Sequence, residues 1–217
     1  MTKRIGLFGG SFDPVHNGHL KAAQDIFDVM KLNHIYFIPA HVSPFKTEKA
    51  QAQNHHRLEM LKLALKGSPY FSVSEYELNK KEVSYTIDTL RHYKKLLGES
   101  TELYFILGSD AFLDLPKWKD IEDIFSLTHI VVVSRPGYRL KPLSQILENP
   151  MLQKEFVTLQ EGKDYKHYTG HHIYLHELEA VDISSTQLRS MITQQKPYSS
   201  FVSPLVHDYI QKHALYH

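Results

Sequence analysis

Two histidines three residues apart, His16 and His19, follow a glycine pair, Gly9-Gly10, in the stretch from Ile5 to Leu20. Imidazoles donate hydrogen bonds and take up charge near neutrality, so two rings aimed at one spot suit the oxygens of a phosphate in transfer. Spacing alone is weak. With 15 histidines in 217 residues, one such pair is expected by chance, and a solvated or capping ring is the ordinary reading of each. The context Gly9-Gly10-Ser11-Phe12-Asp13-Pro14-Val15-His16-Asn17-Gly18-His19 reverses it. The glycines are expected to let the backbone turn with positive φ and come close to a ligand. A helix capped by Asn17 then offers its first amides, around Gly18 and His19, to an anion.

A second anion site is written near the other end. Ser184 followed by Gln187 forms a capping box, so the amides and hydroxyls of Ser185 and Thr186 stand at a positive helix start, with Arg189 one turn along the same face. The alternative is an ordinary capped helix with an exposed arginine. Between these ends lie further candidates. Asp110 follows an apolar run and reads either as an acceptor for ribose hydroxyls or as a helix cap. Thr86 sits in a helix first turn, as a cap or as a carboxylate partner. Trp118, the only tryptophan, lies in the polar, turn-like Pro116-Lys117-Trp118-Lys119 and is expected to offer a flat face to an aromatic ring. Lys46 reads equally as a phosphate ligand or a solvated lysine, and Arg135 follows a strand end where ligands lie.

These residues need a scaffold of alternating strands and helices. Apolar runs predict strands over Lys3 to Phe8, His34 to Ile38, Phe71 to Ser74, Leu103 to Leu107, Ile130 to Val133 and Ile173 to Leu175. Helical spacing predicts helices carrying Leu20, Ala23, Phe27 and Met30; Leu58, Leu61 and Leu65, capped by Asn54 and stopped by Gly67; and Ile87, Leu90 and Leu97, capped by Ser84. A last helix starts at Ser203-Pro204. Such alternation implies an α/β, doubly wound parallel sheet in the order 3-2-1-4-5, one domain over 1–217 with a small helical part over about 184–217. Ligands then bind at the switch between strands one and four. Residues 138–172 read mostly as surface, and His167, His171, His172 and His176 as solvated loop histidines rather than metal ligands.

The 25 Lys and Arg residues balance 24 Asp and Glu residues to a net charge of +1, which disfavours a nucleic acid polymer as partner. Without cysteine there is no disulfide, thiolate nucleophile or cysteine zinc site. No stretch reads as a signal peptide or a membrane span, so the cytoplasm is the expected compartment. No Walker loop or Gly-x-Gly-x-x-Gly fingerprint is present.

The run His16-Asn17-Gly18-His19 resembles the nucleotidyltransferase superfamily, whose signature is His or Thr, any residue, Gly, His after a strand. Nearly the whole chain is similar to bacterial nicotinate mononucleotide adenylyltransferases. Four blocks carry the likeness: residues 9–19, Ser84-Tyr85-Thr86, Gly108-Ser109-Asp110 with Pro116-Lys117-Trp118, and Ile183-Ser184-Ser185-Thr186 with Arg189. The resemblance implies a Rossmann-like fold and transfer of AMP from ATP to nicotinate mononucleotide, giving nicotinate adenine dinucleotide and pyrophosphate in NAD biosynthesis. It also implies ATP over Gly9, Gly10, Ser11 and Phe12, its nucleoside near Gly108, Asp110 and Arg135, and its phosphates at His16, His19, Ser185, Thr186 and Arg189. Lys46, Thr86, Trp118 and Lys119 would hold the acceptor. Mg²⁺ would ride mainly on the ATP phosphates, with no dedicated metal residues. The chain departs from the family's Asn-rich turn and Pro-Pro-His-Lys run, having Ala40-His41 and Ser43-Pro44-Phe45-Lys46 there. Nicotinamide mononucleotide or phosphopantetheine as acceptor, a non-catalytic nucleotide sensor and, more remotely, a histidine-based metal-binding protein are the rival readings. The oligomeric state stays open, a homodimer being one option.

Overall fold

The structure is a computed structural model that describes residues 2–42, 44, 51–134, 140–177 and 183–217. Its centre is an eight-stranded sheet in the order β3-β2-β1-β4-β5-β8-β7-β6. The chain alternates β1 (Arg4–Gly10), α1 (Asn17–Val29), β2 (His34–Pro39), α2 (Asn54–Ala64) and β3 (Phe71–Val73), then α3 (Tyr76–Lys80), α4 (Thr86–Leu97) and β4 (Glu102–Gly108). It continues through α5 (Ser109–Leu113), a 3₁₀ turn at Leu115–Lys117, α6 (Ile121–Leu127) and β5 (His129–Ser134). Then come α7 (Leu143–Ile146), α8 (Pro150–Gln153), β6 (Phe156–Gln160), β7 (Asp164–His167) and β8 (His172–Glu177). Helices α9 (Ser185–Thr193) and α10 (Pro204–Lys212), with a 3₁₀ turn at Ser199–Phe201 between them, close the chain.

The first five strands run parallel in the expected order, and β8 pairs parallel with β5. Alternation along the central strands feeds two cores. Leu103, Phe105 and Leu107 of β4 pack with Ile87 and Leu90 of α4 on one face, whereas Tyr104 and Ile106 join Ala23 and Ile26 of α1 on the other. This two-sided burial explains why the strand reads as a continuous apolar run. The closing helices add Leu188, Ile192, Val206 and Ile210 to the α1 side. No helix among the described residues is long and apolar enough to cross a membrane.

Residues 138–172 depart from the expectation. They hold α7, α8 and the hairpin β6–β7, which extends the sheet with two antiparallel strands. His167 is not a solvated loop residue: it is only 2% exposed, and its ring meets Glu155 Oε2 at 3.0 Å and Thr169 Oγ1 at 2.8 Å. His172 likewise bridges to Asp164 at 2.8 Å. These contacts turn a polar stretch into a stable sheet edge, because buried imidazoles are given fixed partners.

Three caps shift by one residue. His16, in extended conformation, caps α1 in place of Asn17, whose amide instead donates to Ser200 O at 3.0 Å. Gln53 precedes α2 and Tyr85 precedes α4. Ser84 is drawn away from its helix, its Oγ accepting from the His41 amide at 3.0 Å. Helix α2 also ends before Gly67, at Leu65. At α9 and α10 the expected caps form, Ser184 Oγ accepting from Gln187 N at 3.1 Å and Ser203 Oγ from Val206 N at 3.4 Å.

Candidate active site at the switch between β1 and β4

β1 leaves the sheet beside β4, the position at which the winding direction reverses. Contrary to expectation Gly9 and Gly10 do not turn the chain: they are the last residues of β1, pair with Ile38 and Pro39, and have no positive φ, so the bend comes after them at Ser11-Phe12. A Cβ on Gly9 would lie 2.8 Å from the Phe105 ring, so only glycine lets this backbone lie against β4. Phe12 then adopts φ +48°, a left-handed conformation that costs a non-glycine residue about 1 kcal/mol or more. Burial offsets that cost: Phe12 is 1% exposed and packs edge-on against Phe8 and His19.

The two histidines come together as their spacing requires. Their rings stack at 3.7 Å, and the His16 amide donates to His19 Nδ1 at 3.3 Å. A ring that accepts through Nδ1 carries its neutral-form proton on Nε2, so His19 is set to donate through that atom. The first bonds of α1 run from His19 N and Leu20 N to His16 O, which leaves the Asn17 and Gly18 amides ahead of the helical ladder.

The start of α9 docks directly on this turn. Ser185 Oγ donates to Pro14 O at 2.9 Å, and Arg189 Nη1 donates to Asp13 O at 2.8 Å. The second guanidinium nitrogen lies 3.4 Å from Thr186 Oγ1. Two anion-attracting helix starts and an arginine, some 170 residues apart in sequence, therefore share one end of the sheet. Beside them, β4 ends at Gly108, where a Cβ would meet Asp110 Oδ1 at 2.7 Å. Glycine is what lets that exposed carboxylate fold back over the strand end.

The Ser84-Tyr85-Thr86 block lies alongside Trp118-Lys119. Lys119 Nζ stands 4.8 Å from the centre of the Tyr85 ring, and Thr86 opens α4. Trp118 differs from its expected setting. It is 9% exposed and meets Phe105 edge-to-face at 5.9 Å, so most of the indole is core and only a margin reaches the surface. Its polar neighbours in sequence concealed this. Lys46 and Arg135 lie outside the described residues.

Three supporting residues escaped sequence reading. Asp13 is 3% exposed; its oxygens accept from Gln51 N (2.8 Å), Ala52 N (3.1 Å) and Tyr216 Oη (2.7 Å). Arg57 is fully buried on α2 and donates to Ser11 O and Ala40 O, both at 2.7 Å. Burial lowers its affinity for a proton, which the Asp13 carboxylate partly restores. An arginine on a predicted apolar helix was the available signal for Arg57; nothing local marks Tyr216. Among the described residues no group of three or more His, Asp or Glu side chains could hold a metal ion. The donors at the turn are amides, imidazoles and a guanidinium, a set that fits phosphate oxygens and hence a metal carried on them.

A mostly parallel sheet with two helix starts from distant parts of the chain docked at its switch point defines a doubly wound α/β protein. The family model described as cytidylyltransferase-like matches residues 7–191. Over 98% of this chain and 98% of its own length, a probable nicotinate-nucleotide adenylyltransferase of Geotalea daltonii is 35% identical; one of Shewanella frigidimarina is 34% identical over 98% and 99%. The chain belongs to the nicotinate-nucleotide adenylyltransferase family. The nicotinic acid mononucleotide adenylyltransferase of Plasmodium falciparum, solved in complex with NaAD, superposes with TM-score 0.73 over 99% of this chain and 97% of that one. At 22% identity it speaks for the fold.

Proposed function

We propose that the protein transfers AMP from ATP to nicotinate mononucleotide, releasing pyrophosphate and forming nicotinate adenine dinucleotide. The observation that carries this is the docking of Arg189 and Ser185 of α9 on the Asp13-Pro14 turn, which makes one anion-binding site from two ends of the chain. An acceptor phosphate is already anionic, so its oxygen attacks the α-phosphorus of ATP without a general base. The new O–Pα bond forms as the bond to the β-phosphate oxygen breaks. Positioning and charge neutralisation are then what the protein must supply.

In this reading the Gly9-Gly10 end of β1, the Ser11-Phe12 bend and the α1 amides hold the triphosphate, and His19 donates through Nε2 to the transferring group. His16, Ser185, Thr186 and Arg189 share the phosphate charge; Gly108 and Asp110 meet the nucleoside, and Arg135 is assigned with them by resemblance. Thr86, Lys119 and the exposed margin of Trp118 hold the acceptor, with Lys46 assigned there by resemblance. Mg²⁺ carried on the triphosphate would lower its charge, while His16, His19, Ser185, Thr186 and Arg189 would hold phosphate oxygens. Pyrophosphate release measured with nicotinate and nicotinamide mononucleotides in parallel tests the assignment. Turnover is expected with the acid form; faster turnover with the amide, or no turnover with either mononucleotide, would overturn it.

A further inference from the structure

We propose that Tyr216, at the far end of the chain, is a positioning residue for this reaction: its hydroxyl occupies the Asp13 carboxylate that would otherwise draw Arg189 away from the phosphates. The inference rests on the activity proposed above. Among the described residues three donors reach the buried acid Asp13: Ala52 N and Tyr216 Oη on Oδ1, and Gln51 N on Oδ2. Arg189 makes a long ion pair with the same carboxylate but gives its hydrogen bond to the main chain. Its Nη1 bonds the Asp13 main-chain oxygen at 2.8 Å and remains 3.9 Å from Oδ2. Thus the hydrogen bond that anchors the arginine is to a neutral carbonyl, and the carboxylate holds its charge through the longer contact alone, at the start of α9.

Removing one donor changes that balance. A buried carboxylate short of a partner carries a large desolvation cost, and a charge-assisted bond to the adjacent guanidinium relieves it. A small rotation of Arg189 suffices. The tail is built to keep the phenol in place: Thr193 Oγ1 donates to Tyr216 O at 2.8 Å, and both Ala214 (φ +47°) and Tyr216 (φ +67°) hold left-handed backbone conformations. Such conformations persist only where the surroundings impose them. Burial first, and then the Asp13 charge, push the phenol far above its ordinary pKa, so it remains a donor.

A double-mutant cycle tests the role, because a residue acting through Arg189 must fall silent when Arg189 is gone. Tyr216→Phe is expected to lower kcat for pyrophosphate release about tenfold, the scale of one lost hydrogen bond to a charge. The KM for nicotinate mononucleotide should move less than about twofold. In an Arg189→Ala background the same substitution should cost less than about twofold. Equal losses in both backgrounds, or no loss in either, would overturn the role. Thr193→Val, which loosens the tail without touching Asp13, should lower kcat about twofold to threefold and again be silent on Arg189→Ala; it decides the matter if Tyr216→Phe does not fold. A wild-type protein that releases no pyrophosphate would sink the proposed reaction instead. The positioning role is then read from ATP binding, where Tyr216→Phe should raise Kd severalfold only with Arg189 present, and an unchanged Kd rejects it.

Discussion

Histidine is used in two opposite ways at the two sides of this sheet. At the β1 turn, His16 and His19 stack on each other and take their orientation from a main-chain amide. Beyond β5, His167 and His172 are each tied to a carboxylate, and at the start of β5 itself His129 lies against Tyr104, His171 and His172. Burial, reinforced by those neighbouring histidines, lowers the His129 pKa to about 3. One residue type thus serves as a prospective phosphate donor where the fold leaves a strand end open, and as cement where the fold supplies an acid. A surplus of histidines is therefore not in itself a metal signature.

The contrast predicts rate losses without stability losses on one side and the reverse on the other. His19→Ala should lower turnover by about two orders of magnitude, the worth of a lost oxyanion donor, while the melting temperature moves little. Turnover close to wild type would remove His19 from the chemistry. His167→Ala should lower unfolding free energy by about 2 kcal/mol, since Glu155 is left without its partner, and leave kcat unchanged. A denaturant titration checks the first part, and a large drop in kcat would erase the division between the two sides.

Trp118 sits between these cases, part core and part surface. Trp118→Ala should raise the KM for the mononucleotide about fivefold, from roughly 1 kcal/mol of lost stacking, and should also lower stability through the cavity left beside Phe105. A change confined to the KM for ATP would contradict the acceptor role.

The smallest effect concerns pH. His129 takes up a proton in the unfolded chain near 6.5 but in the folded protein only near 3. Between those values the unfolded state binds more protons, so the contribution of this residue to stability shrinks as pH falls from 6.5 towards 3. His129→Phe should flatten the decline in melting temperature across that window. An unchanged slope would show that other groups set it.

Much of the scaffold was legible because its signals are local. Continuous apolar strands, the capping box at Ser184-Gln187 and the Ser203-Pro204 helix start depend on neighbours within one turn, and alternating connections imply a parallel sheet with right-handed crossovers. The hairpin β6–β7 was not legible. Its outer strand leaves Val157 63% and Leu159 56% exposed, so no buried face patterns the sequence, and its stability comes from pairing and from acids placed elsewhere. His16 displaced Asn17 as a cap for a related reason: Asn17 found a better partner in Ser200, remote in sequence.

The sequence alone determined which groups could meet a phosphate, because glycine freedom, capping chemistry and imidazole donors are properties of short segments. Whether those groups would meet each other was settled only in three dimensions. Arg189 reaches the Asp13 turn, Arg57 is enclosed beneath it and Tyr216 returns to the same carboxylate from 203 positions away. Such contacts follow from how two cores close on one sheet, and no local pattern of residues encodes that closure.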